Sequence, residues 1–301
     1  MNHEEVGYQL RQVLEKGELL TLADRIKDNY PYCLQMYNTL LLTARGLNSC
    51  FQYEIYVLKN YQNSHVIIWR SLIEWKNMSI YCREEEVPLL IKVMKSSHFL
   101  DIVKEVPVLF LSKYQADRVY QRLQEISAKP LVRRPFFCYV YVTRQESPLR
   151  CPAGMKVQRL GRAGIQKLLE NNQYWKTASG ELVCRLSENL PALGIFLDPE
   201  VEDETVVDLN NLSFAEPEEV PIAQAFTSPY GSVASLCTDV QYRKRGLGSL
   251  LVSLIGRLLM AKGWCIPHSV VYCKNEASNG LYEKLPGWKK THCANRIFPA
   301  Q

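Results

Sequence analysis

The hydrophobic positions of the chain change period several times. Val6, Leu10, Val13 and Leu14 recur at the spacing of one helical face, which predicts an opening amphipathic helix. Apolar runs over 65–70 and 136–143 predict strands, and Tyr114, Val119, Leu123 and Ile126 give one apolar face to a helix over 112–127. Glu84, Glu85 and Glu86 fit the first turn of a helix running to Lys95, where carboxylates favour the helix dipole. Two prolines and a glycine interrupt the pattern at 144–154. It resumes as strand 155–158, helix 162–171, strands 193–197 and 222–227, a turn at 228–231 and strand 232–238. Helix 249–262, strand 269–273, helix 278–284 and a last strand from Trp288 complete it. Strands alternating with helices after an antiparallel pair predict an α/β protein with a mixed sheet. The break divides the chain into an N-terminal α/β domain, 1–148, and a C-terminal domain, 149–301.

Composition narrows the class. The 301 residues are 47% apolar and 22% charged, as in ordinary globular proteins, and two domains are expected at that length. The longest apolar run, 250–261, is short of the roughly 20 residues that cross a bilayer and carries Ser253 and Arg257, so no membrane is expected. The first five residues lack the parts of a secretory signal; a cytoplasmic protein is expected, with mitochondria as the alternative. Ten scattered cysteines without a C-x-x-C pair read as free, mostly buried thiols and not as a metal site. Trp69, Trp75, His65 and His98 are isolated and read as packing.

Charge adds a second layer. The net charge of +5 is too small to call for a nucleic-acid partner, but the charges are segregated. Residues 186–242 hold eleven acids and no Lys or Arg, whereas residues 243–301 hold ten basic residues and two acids. Such a split suits one surface for an anion and another for a neutral or cationic ligand. Eight of the acids lie within 199–221, with no basic residue among them.

The chemistry concentrates in 232–248. A β-rich run leads into Arg243, Lys244, Arg245, Gly246, Leu247 and Gly248, and an apolar helix starts at once with Ser249. A bare, basic loop at a helix N-terminus can aim several N–H groups at one phosphate. No Lys-Ser/Thr pair follows the second glycine, so this is not a loop for a nucleoside triphosphate.

The loop resembles the Q/R-x-x-G-x-G/A signature of the GNAT superfamily of N-acetyltransferases. Downstream, Asn275, Ser278, Tyr282 and Lys284 before Gly287-Trp288 are similar to the superfamily's N-x-x-S-x-x-x-Y-x-K motif. The resemblance implies a GNAT fold in the C-terminal half and allows the N-terminal domain to be a degenerate GNAT-like half. It implies an acyl-coenzyme A-dependent N-acyltransferase, with acetyl-coenzyme A the leading acyl donor, acting by direct attack of a small amine or amino acid. Leu236, Cys237 and Thr238 would supply main-chain groups to pantetheine, and 243–249 would hold the pyrophosphate. Asn275 and Ser278 would reach pantetheine, with a helix cap as the other reading of Asn275, and Tyr282 would protonate the leaving thiolate. Length and the segment from Met36 are similar to the glycine N-acyltransferase branch. That branch carries a glutamate where this chain has Ser232, and Pro286 is an extra residue before the aromatic. The base is left open among Asp239, Glu276 and a water held by Ser232. The family usually joins the two strands around 199–221 tightly, so the resemblance implies that this acidic segment is an insertion, which would favour cationic amines over carboxylates if it borders the acceptor site. The alternative function is a coenzyme A-binding sensor or scaffold without turnover.

Overall fold

The structure is a computed structural model that describes residues 8–73, 77–103, 108–112, 116–127, 129–143, 147–171 and 179–299. The chain forms two compact units. The first comprises Met1–Arg45, Phe51–Phe136 and His292–Gln301, and the second Gly46–Cys50 and Phe137–Thr291.

In the first unit β1 (Leu10–Gln12) is followed by α1 (Lys16–Ile26), α2 (Leu34–Ala44), β2 (Tyr53–Leu58), β3 (Ile67–Ser71) and β4 (Asn77–Tyr81). Then come α3 (Val87–Val93), α4 (Ser97–Val103), β5 (Val108–Ser112), α5 (Ala116–Ile126) and the start of β6 (Leu131–Tyr141). Its strands lie in the order β1-β2-β3-β4-β5, and the end of β14 (Trp288–Pro299) pairs antiparallel with β5. Ile68, Ile80, Leu90, Phe99, Leu111 and Val119 are among the side chains of one core cluster.

The opening helix is not formed. Leu10 to Gln12 pair instead with β2, Leu10 opposite Leu58, because a sheet edge satisfies these backbone groups and still buries Leu10. Val6 and Trp75 lie outside the described residues, as do 144–146 of the predicted break. Glu84 to Glu86 form a single 3-10 turn that leads into α3, as their charge predicts.

The second unit contains β7 (Arg150–Cys151), β8 (Met155–Arg159), α6 (Arg162–Glu170), α7 (Gly180–Asn189), β9 (Ala192–Leu197) and β10 (Thr205–Val206). β11 (Ala223–Thr227), β12 (Val233–Thr238), α8 (Leu247–Lys262), β13 (His268–Tyr272), α9 (Glu276–Lys284) and the start of β14 follow. β8, β9, β11 and β12 make a four-stranded antiparallel sheet in the order β12-β11-β9-β8. β13 lies beside the end of β6. α8 is apolar on nearly every side, as the pattern over 250–261 requires of a helix buried all round. It ends on Gly263 in the left-handed conformation, the usual C-terminal stop. α7 has no counterpart among the predicted elements; Ser179 caps it by accepting from the Leu182 amide.

Candidate functional site

β12 carries an irregularity in its middle. Gln224 stands opposite Cys237 and Phe226 opposite Ala234, so Ala225 alone faces both Ser235 and Leu236. The extra residue is a β-bulge, and Ser235 absorbs it at φ +53°. On its other side β12 meets β13 through one parallel bridge, Ser232 with His268, braced by Ser269 Oγ donating to the Val233 carbonyl at 2.9 Å. Among the described residues no ladder continues beyond that bridge, and β12 is the edge of its sheet. Ala234 to Thr238 are accordingly half-buried and not covered. A right-handed strand bent by a bulge diverges from its neighbour, and the opening it leaves is bordered by main-chain groups.

The loop after β12 leads into α8, whose first turn lies against Leu236 of β12. Lys244 and Gly246 both have positive φ, +62° and +80°, and α8 begins at Leu247. Among the described residues, no backbone amide from Lys244 to Ser249 donates to a protein acceptor. Six successive N–H groups at a helix N-terminus, flanked by exposed Arg243, Lys244 and Arg245, could hold an anion. Arg243 is tied back, its Nε donating to the Thr238 carbonyl at 3.0 Å, and the Arg245 guanidinium lies 5.4 Å from the Tyr242 ring centre.

The two glycines have different tasks. A Cβ on Gly246 would meet nothing within 4 Å, so this position needs glycine for its backbone conformation. A Cβ on Gly248 would lie 3.3 Å from Leu281 and 3.5 Å from Leu236, so its bareness serves the packing of α8 on α9 and β12 and does not clear room for an anion.

Below the opening lies an aromatic cluster. Tyr282 is 3% exposed, stacked on Tyr139 at 5.1 Å and edge-on to Trp288 at 4.9 Å. Burial raises the Tyr282 phenol well above its ordinary pKa, partly opposed by a hydrogen bond with Ser269, so the group stays protonated. Asn279, 8% exposed, donates to the carbonyls of Tyr272 (3.2 Å) and Cys273 (3.0 Å) and accepts from the Tyr139 hydroxyl (3.1 Å), fastening α9 to the end of β13. Asn275 caps α9: its Oδ1 accepts from the Ser278 amide at 3.1 Å. The pattern thus marks Asn275, Ser278 and Tyr282 but misses Asn279 and Tyr139, which hold Tyr282 in place. The one signal for Asn279 is its spacing of four from Asn275.

No strong base stands in the opening among the described residues. Ser232 is buried, with its hydroxyl 3.0 Å from that of Ser228. Asp239 accepts from Lys167 at 2.8 Å, and Glu276 is exposed in the first turn of α9. Burial raises the Cys237 thiol, helped by nearby Asp239, which disfavours the thiolate a nucleophile needs. Gln224 is an unexpected feature: 1% exposed beside Cys237, it has no partner for either amide atom.

The acidic insertion lies mainly along the β8 side of the sheet, and its last residue, Pro221, meets Lys167 near Asp239. Thr205 and Val206 pair with β7, and Phe214 bridges Arg159 at the end of β8. β8 is the opposite edge of the sheet from β12, about 14 Å away at ordinary strand spacing. Its carboxylates are mostly solvated, and Glu219 and Asp198 flank Lys156 at 3.1 and 3.7 Å.

Residues 217–296, which contain the bulge, the unbonded amides and the aromatic cluster, match the family of FR47-like proteins. No curated protein matches the chain. Among solved structures, a Drosophila protein is 16% identical with a TM-score of 0.74, the match covering 98% of this chain and 99% of that one. A GCN5-related N-acetyltransferase from Sphaerobacter thermophilus is 11% identical over 99% of this chain and 97% of its own, at a TM-score of 0.55. The fold is that of the GNAT acetyltransferases. A tandem GNAT protein of the clavulanic acid pathway, 11% identical over 97% of this chain and 99% of its own, has a TM-score of 0.50. The GNAT fold expected for the C-terminal half is therefore present. No helix among the described residues is long and apolar enough to cross a membrane.

Proposed function

We propose that the second unit is an acyl-coenzyme A-dependent N-acyltransferase, with acetyl-coenzyme A as the leading donor and a small amine or amino acid as acceptor. The observation that carries this reading is the run of unbonded amides from Lys244 to Ser249 beside the opening between β12 and β13. The pyrophosphate lies on those amides, and the pantetheine arm runs along Leu236, Cys237 and Thr238 with Asn275 Nδ2 and the Ser278 side chain at the far wall. The thioester carbonyl is polarised by main-chain N–H of β12.

A neutral amine adds to that carbonyl. The tetrahedral adduct collapses with cleavage of the carbon–sulfur bond, and the thiolate takes the Tyr282 proton while solvent removes the proton from the new amide nitrogen. The phenolate recovers its proton from solvent. Because Ser232 replaces the glutamate of the glycine N-acyltransferase branch, the amine has to arrive already neutral. The rate should rise with pH until the acceptor's own pKa is passed.

The paired state of Asp239 and the buried state of Ser232 favour a second reading, a coenzyme A-binding sensor without turnover. Release of free thiol from acetyl-coenzyme A across a panel of amines and amino acids separates the two. Amine-dependent release with a matching acylated product supports the enzyme. Binding without release by any amine supports the sensor.

A further inference from the structure

The two units are built from the same series of elements. With α4 of the first unit and the two-residue β10 of the second left aside, β1, α1, α2, β2, β3, β4, α3, β5, α5 and β6 succeed one another as β8, α6, α7, β9, β11, β12, α8, β13, α9 and β14 do. The pairings repeat as well. In each series the first four strands are joined antiparallel in turn, and the fourth runs parallel to the fifth.

The first unit is closed where the second is open. β4 and β5 are joined at Asn77 with Val108, Met78 with Leu109 and Ser79 with Phe110, where β12 and β13 share one bridge. β3 and β4 pair from Ile67 with Tyr81 to Arg70 with Met78 without a register shift, where β11 and β12 carry the bulge. Main-chain groups that would have to receive pantetheine are already used in that ladder.

The loops differ in the same sense. After β4 the chain reads Cys82, Arg83, Glu84, Glu85, Glu86, Val87 and Pro88, and it contains no glycine between Gly46 and Gly154. The anion at this corner is the protein's own. The Glu86 carboxylate accepts from the His65 amide at 2.9 Å and the Arg83 amide at 3.4 Å, and lies 3.3 Å from the His65 ring. The Arg83 guanidinium is engaged by Asp28 at 2.7 Å. Pro88, at the start of α3, removes another amide. A diphosphate here would meet three carboxylates where the second unit presents three cations.

We infer that the first unit is a second copy of the fold whose donor cleft has been sealed by its own backbone and carboxylates, so that one chain takes one acyl-coenzyme A. The inference rests on the function proposed for the second unit.

Titration calorimetry of the full chain with coenzyme A tests this. The expected result is one equivalent bound. Lys244→Glu with Arg245→Glu, two exposed positions, should weaken that single event at least a hundredfold and leave no other. Glu84→Lys with Glu85→Lys should leave one equivalent at an affinity within twofold. Two equivalents, or a class of sites that survives the reversed loop in a protein folded by circular dichroism, would overturn the sealed cleft. No binding by the unaltered chain would instead overturn the function proposed for the second unit, and the count of one with it.

Discussion

The hydroxyl of Tyr282 meets Ser269, whose own oxygen is bonded to Val233 at the point where β12 and β13 separate. Burial keeps the phenol protonated, so the acid form is present at any working pH, and a thiolate formed in the same desolvated opening is itself made more basic by burial and can draw that proton. Tyr282→Phe keeps the ring stack and removes the donor. It should lower kcat by roughly a hundredfold and leave KM for both substrates within about twofold, read from steady-state rates. Unchanged kcat would return Tyr282 to packing. A second residue reports on stability. Burial pushes the His292 imidazole from 6.5 down to about 4. Below pH 6.5 the unfolded chain binds a proton that the folded chain refuses until about pH 4, so stability falls across that window and is unaffected above it. The loss is at most about 3 kcal/mol. Urea midpoints from pH 7.5 to 4.5 should therefore decline less steeply for His292→Phe, and identical slopes would contradict this account. Residue types and spacing make Arg243 to Gly248 and Tyr282 legible in the sequence. Ser235 is not, because nothing in a serine announces a positive φ, and Gln224 is not, because its missing partners exist only in the packed sheet.

At the scale of elements, the site depends on two attachments. Asn279 ties α9 to the end of β13 through two hydrogen bonds and accepts a third from Tyr139 of β6. Asn279→Leu strands two backbone carbonyls and should cost about 2 to 4 kcal/mol by denaturant unfolding, given the usual penalty for buried unpaired groups. A smaller effect than about 1 kcal/mol would mean that water replaces the amide. Gly246 sets the turn into α8 at φ +80° with open space around it. Gly246→Ala should lose about 1 kcal/mol of stability through conformation alone, whereas Gly248→Ala should be set by how far Leu281 can yield. The main strands of the second unit, with α6, α8 and α9, are legible because their apolar periods are clear, whereas α7 is missed despite its Ser179 cap. The opening helix was misread because Leu10, Val13 and Leu14 fit a helical face equally well, and only the pairing with β2 decides in favour of a strand.

At the scale of the molecule, the repeated order of elements was hidden from the sequence. The two halves share neither glycines nor charge at the decisive loop, and topology is preserved by alternating apolar positions that many residues satisfy. The split of charge was visible, but its meaning was not. Arg243, Lys244 and Arg245 adjoin the unbonded amides before α8, whereas Thr205, Val206 and Phe214 of the acidic segment pair with β7 and the end of β8, at the sheet edge opposite β12. The central claim is that acyl-coenzyme A docks on the free amides before α8 and in the opening beside β12. Backbone amide chemical shifts and hydrogen exchange, recorded with and without saturating coenzyme A, address it residue by residue. The account predicts that the largest shifts and the greatest slowing fall on Lys244 to Ser249, with smaller changes at Leu236 to Thr238 and none at Arg83 to Glu86. Undisturbed amides from Lys244 to Ser249 in the presence of bound coenzyme A would contradict it.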